Sequence, residues 1–194
     1  MEADWVLRMA TPIRQVVFGL GSNLGDRVGS VMSGVAALTR LVGDRGLHLS
    51  PLYETTPVGG PPQDDFINAA IAIETALPAR VLLDTALSIE QRHGRIRLER
   101  YGPRTLDIDV LWVEHEIIDE PGLEVPHPRL LERAFALRPL IDVAPRAADP
   151  RTGLMLSAHM DLLSTEGLRL HAGVRRGMPA VHGIDETSSL GLGR

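Results

Sequence analysis

The chain has 194 residues, 44% of them hydrophobic and 23% charged, which suits one globular domain and leaves little room for a second. It contains no cysteine, which excludes disulfides and thiolate metal sites and favours magnesium over zinc for any metal it uses. The net charge of −5 argues against a general nucleic-acid binder, yet its basic residues are all arginine, and Arg92, Arg95, Arg97, Arg100 and Arg104 crowd one segment, as a site for a local phosphate would require.

Residues 1–14 read as an N-terminal extension. Glu2 and Asp4 stand where a signal peptide needs positive charge, and no apolar run approaches the roughly 18 residues that span a bilayer, so a cytoplasmic protein is expected; Met9 is an alternative start. Residues 15–20 form a first strand that leaves into a tight loop at Gly19 and Gly21. Val28, Val31, Met32, Val35, Leu38 and Val42 then recur at helical spacing until Gly43. Strands are expected over 47–53 and 66–74, separated by a loop rich in Pro and Gly. Pro78 opens a second helix with Leu82, Ala86 and Ile89 on its inner stripe, and Gly94 closes it.

Residues 93–104 read as an arginine loop, expected to be mobile until phosphate neutralises it, and 106–112 as the fourth strand. The order gives an α+β chain with a ferredoxin-like βαββαβ core: an antiparallel sheet, two long helices on one face, the other face free for ligands. Short helical stretches at 129–132 and 134–141 are expected to cover an edge of the sheet. Residues 15–146 form the domain, and 147–194 read as a mobile C-terminal extension.

In LDIDV, Leu106, Ile108 and Val110 alternate with Asp107 and Asp109, so a strand sends the aliphatics inward and both carboxylates to the opposite face, roughly 6–7 Å apart at the backbone. Two such carboxylates repel unless a cation lies between them, and magnesium carrying ATP oxygens would do so; an ordinary half-exposed strand also fits. The arginine loop immediately before this strand puts phosphate-binding and metal-binding groups side by side. GLGSNLGD does not match a dinucleotide fingerprint, and without lysine there is no P-loop; a turn with close backbone packing and a direct ligand role both remain open.

GSNLGDR, YETTPVGGPPQDDFINAAIAIET, YGPRTLDIDVL and VPHPRLLERAFALRPL, in this order over residues 15–146, together resemble the 6-hydroxymethyl-7,8-dihydropterin pyrophosphokinase family. The resemblance implies a usually monomeric ferredoxin-like enzyme of folate biosynthesis. It would move diphosphate from MgATP to the hydroxymethyl group of the pterin and release AMP. It implies Asp107 and Asp109 as ligands of two Mg2+ ions, with Arg95, Tyr101 and Arg104 completing the catalytic set. Glu90, Arg95, Arg97, Arg100, Arg104, His127 and Arg133 match ATP-site positions, and Thr55, Val58, Phe66, Asn68 and Phe135 match the pterin site, the two Phe as a sandwich. Tyr101 stands where the family often has Trp, and Leu87 where some members carry Gln. The competing readings are an RNA- or ligand-binding module of the same fold, disfavoured by 4% aromatics and negative charge, and an enzyme acting on another hydroxymethyl heterocycle.

Overall fold

A computed structural model describes residues 12–94 and 102–171. Residues 1–11, 95–101 and 172–194 lie outside the described residues, and with them most of the N-terminal extension, the end of the tail and the centre of the arginine loop, including Arg95, Arg97, Arg100 and Tyr101.

In chain order the elements are β1 (Arg14–Ser22), α1 (Arg27–Val42), β2 (His48–Leu49), β3 (Tyr53–Thr55), β4 (Phe66–Thr75), α2 (Ala79–Arg92), β5 (Asp107–Val113), β6 (Ile118–Glu120), β7 (Leu123–Val125), α3 (Ala134–Val143), α4 (Leu156–Met160) and β8 (Leu168–Leu170), with a 3-10 turn at Leu130–Glu132. The main sheet runs β5-β1-β4-β3-β8, with β2 also on β4, and every pairing in it is antiparallel. This is an α+β chain on an antiparallel sheet. The expected strand over 47–53 is two pieces, because Pro51 between them has no N–H to donate. Ser50 substitutes there, its Oγ accepting the Ala70 amide at 2.9 Å.

The alternation of β1 and β4 sorts their side chains between two cores. Val16, Phe18, Leu20, Ile67, Ile71 and Ile73 pack with Val31, Val35 and Leu38 of α1 and Leu82, Ala86 and Ile89 of α2. Asp26 starts α1 by accepting the Gly29 amide at 2.9 Å, which satisfies one of the free N–H groups of the first turn. On the opposite face, Val17, Ala70, Ala72, Leu111 and Trp112 meet Leu137, Leu140 and Val143 of α3 and Leu156 of α4. The small Ala70 and Ala72 side chains let α3 lie close to the sheet. So α3 covers part of a face, not an edge as expected, and the ligand-accessible surface is reduced to the remaining end of that face.

The stretch after Ala147 is also different from the expected mobile extension. Through residue 171 it is packed: Trp112 Nε1 donates to the Ala148 carbonyl at 2.9 Å, Ala148 bridges Met155, and β8 adds to β3 at the sheet edge. Its few apolar residues carry no long periodicity, and pairing with a strand more than a hundred positions earlier leaves no local signal. Nor did the sequence show the β6–β7 hairpin, whose turn is made by Gly122 at φ 76°. No helix among the described residues is long and apolar enough to cross a membrane.

Candidate active site

One cavity opens on the part of the sheet that α3 leaves uncovered, above the ends of β1, β4 and β5. Its floor is β1, where Gly19 and Gly21 sit inside the strand, not in the loop expected after it. A Cβ at Gly19 would come within 2.9 Å of Leu111 Cδ1, and one at Gly21 within 2.9 Å of Asn68 Oδ1. The two glycines therefore keep floor and walls in contact without filling the space.

One wall carries charge. Leu106, Ile108 and Val110 are buried, as alternation requires, while Asp107 and Asp109 line the cavity from β5. Arg104 precedes them, and its guanidinium pairs with the Asp107 carboxylate. His127 and Arg133 face the same space with Arg129.

His127 is fixed by its backbone amide donating to Leu111 at 2.8 Å and by Nδ1 accepting the Arg129 amide at 3.2 Å, which leaves the neutral ring's proton on Nε2. Burial first, then the Arg133 charge, lowers its pKa to about 4, with Asp107 opposing.

The other wall is apolar and polar in alternation. Thr55 pairs with Phe66 across β3 and β4, and Asn68 Nδ2 donates to Thr55 Oγ1 at 2.6 Å. Thr55, Val58, Phe66, Asn68 and Phe135 all line the cavity, although Val58 is 70% exposed on its loop. The Arg133 guanidinium sits 5.6 Å from the centroid of the Phe135 ring, a cation–π contact that links the two walls.

Glu90 is placed elsewhere. It is 2% exposed, is not among the cavity-lining residues, and its Oε1 accepts the Ile108 amide at 2.7 Å. Strand β5 is the sheet edge, so its outward N–H groups need partners, and Glu90 supplies one between the two aspartates. Leu87, exposed on α2, does not line the cavity either.

Gln63, Arg129 and Ala136 also line the cavity without a signal in the sequence, and Asn23 joins them from behind. Asn23 is 1% exposed. Its Nδ2 donates to Gln63 Oε1 at 2.9 Å and to the Asp64 carbonyl at 3.2 Å, while its Oδ1 accepts the Arg104 amide at 2.7 Å. GSNLGD thus acts through its Asn as the tie between the two cavity loops; a polar residue directly after an apolar strand was the available signal.

Among the described residues no three His, Cys, Asp or Glu side chains gather as a metal cage. Two carboxylates with open space before them still fit magnesium, which keeps several waters and takes phosphate oxygens as its remaining ligands.

Residues 17–145 match the model of the 7,8-dihydro-6-hydroxymethylpterin-pyrophosphokinase family. The chain belongs to that family. It is 39% identical over 137 residues to the 2-amino-4-hydroxy-6-hydroxymethyldihydropteridine pyrophosphokinase of Synechocystis, covering 71% of this chain and 70% of that one. It is 45% identical over 127 residues to the enzyme of that name from Methylorubrum extorquens, covering 66% and 80%. The fused HPPK-DHPS chain of Plasmodium falciparum shares the fold at a TM-score of 0.58 and 13% identity; the match covers 82% of this chain and 46% of that one, so the family member here spans less than half of the fused protein.

Proposed function

We propose that this chain transfers the terminal diphosphate of ATP to the hydroxymethyl group of 6-hydroxymethyl-7,8-dihydropterin and releases AMP, a step of folate biosynthesis. The observation that carries the reading is a single cavity with paired carboxylates, arginines and a neutral histidine on one wall and two phenylalanines with a hydrogen-bonding amide on the other. Family membership supports it.

In this reading Phe66 and Phe135 stack on the flat pterin, each ring adding about 0.5–1.5 kcal/mol beyond area burial. Thr55, Val58 and Asn68 line its edge, and the amide of Asn68, anchored on Thr55, reads the donor and acceptor pattern. Asp107 and Asp109 hold Mg2+, two ions in the fullest form of the proposal, which would polarise the phosphates and acidify the attacking hydroxyl. Arg104 must then exchange its pairing with Asp107 for phosphate, which gives the arginine a role in both the empty and filled site. Arg133 and His127 complete the ATP side, His127 presenting its Nε2 proton because Nδ1 is held by the Arg129 amide. Arg95, Arg97, Arg100 and Tyr101 would join them from the segment outside the described residues. Glu90 contributes by holding β5, an indirect role in place of ATP contact.

The ferredoxin-like reading is supported by the order β5-β1-β4-β3 with α1 and α2 packed in one core. We propose a cytoplasmic monomer whose catalytic domain runs from about the start of β1 through β8, longer than 15–146.

The test mixes protein with MgATP and 6-hydroxymethyl-7,8-dihydropterin. AMP formed only when pterin is present is the expected result; ADP, or AMP without pterin, defeats the proposal.

A further inference from the structure

The loop of residues 57–65 forms the pterin-side rim of the cavity, with Val58, Gly59 and Gln63 on its lining. Its Pro and Gly content gives it no ladder of its own, so its position depends on what holds its two ends.

Both ends are held by the same strand. On the entering side, Tyr53 and Thr55 pair with Leu170 and Leu168 of β8, and the Thr56 amide donates to the Gly167 carbonyl at 3.2 Å. On the leaving side, Arg169 of β8 donates from Nη2 to Asp65 Oδ2 at 2.8 Å, one residue before the cavity-lining Phe66. The same Arg169 nitrogen lies 3.5 Å from Glu54 Oε2 on β3. Arg27 closes the cluster from α1, 3.0 Å from Glu54 Oε1 and donating to the Asp65 carbonyl at 2.6 Å. Two arginines thus alternate with two carboxylates at the point where the loop leaves and rejoins the sheet. None of the four belongs to the cavity lining.

We infer that β8 is a strap for the pterin-side loop and that Arg169 is a positioning residue for pterin binding, fastening Glu54 and Asp65 so that the rim lies in its binding position before substrate arrives. The inference rests on the proposed pterin site, but it concerns a different segment. An isolated exposed ion pair holds little, whereas one guanidinium nitrogen on a paired strand, shared between two carboxylates, restrains both loop ends at once. The cost of binding falls when the rim is already ordered. ATP meets the opposite wall and gains nothing from the strap.

The test compares the full chain with R169A, R169K, D65N and the R169A/D65N double variant. Two readouts are used: apparent KM for each substrate, and hydrogen exchange of residues 57–64 in the protein without ligands. For R169A the pterin KM should rise about threefold to fivefold with kcat and the ATP KM unchanged, and loop exchange should quicken by a similar factor. R169K should recover only part of the loss, since a flexible, strongly hydrated ammonium is less pre-organised than a planar guanidinium to bridge both carboxylates, and the double variant should be no worse than R169A. An R169A protein with unchanged pterin KM and unchanged loop exchange overturns the strap. So does one in which both KM values rise together with a lowered Tm. If the unaltered chain makes no pterin-dependent AMP, the functional reading fails, and the exchange comparison alone decides whether Arg169 holds the loop.

Discussion

Asn23 and Arg104 bond to each other twice, the Asn23 amide donating to the Arg104 carbonyl at 3.1 Å and the Arg104 amide donating to Asn23 Oδ1 at 2.7 Å. Because Asn23 Nδ2 also reaches Gln63 and Asp64, one buried side chain fixes the entry to β5 and the loop of residues 57–65 together. Asn23→Ala leaves the Arg104 amide without this acceptor and should cost about 1–3 kcal/mol of stability. Denaturant unfolding measures that loss. Kinetics should show both substrate KM values raised, in contrast to the pterin-selective effect of R169A.

Asp109→Ala should abolish diphosphoryl transfer with the fold intact, because the carboxylate is half-buried on the cavity side and its removal disturbs no core. A lost metal ligand should cost several kcal/mol of transition-state stabilisation, about a thousandfold in rate. Asp107→Ala should be equally inactive, and it also releases Arg104 from its ion pair. Circular dichroism and AMP formation, measured on the same preparations, separate loss of chemistry from loss of fold.

Glu90→Ala distinguishes a supporting carboxylate from an ATP ligand. It removes a buried acceptor from the Ile108 amide, so stability should fall by about 1–3 kcal/mol and kcat should fall as the aspartates lose register. Nucleotide binding measured by calorimetry without pterin should change little; a selective loss of ATP affinity in a fully stable variant would restore the direct role.

Phe135→Ala should weaken pterin binding by roughly 2–4 kcal/mol through lost burial and stacking. Arg133 rests on that ring, so a small loss of ATP affinity, about 0.5–1 kcal/mol, should accompany it. Equal losses for the two ligands in titration calorimetry would make Phe135 a structural residue.

His127 sets a pH dependence. Its pKa falls from 6.5 to about 4 on folding, so the unfolded chain binds more protons between these values. The stability that neutral His127 lends is complete above about pH 6.5 and is lost as pH falls toward 4. His127→Asn should flatten that part of the stability curve measured by denaturation between pH 4 and 7, and the kcat/KM profile of the unaltered chain, which reports the free enzyme, should show no ionisation of this residue near 6.5.

Local pattern in the sequence was enough for what depends on local pattern. Alternation in LDIDV put Asp107 and Asp109 on one face with Ile108 in the core, and the 3.6-residue stripe through Val31, Val35 and Leu38 gave α1, because periodicity survives in the order of residues. Together with GPRTLDIDVL and VPHPRLLERAF it also gave the family. Tertiary structure alone decided matters that depend on separation in sequence. That α3 lies on Ala70 and Ala72, that Glu90 turns to the Ile108 amide, that Asn23 ties Arg104 to Gln63, and that Arg169 reaches Asp65 are pairings across 18 residues or more, chosen by which buried or edge groups needed a partner once the sheet had formed. No window of sequence contains both halves of such a pair.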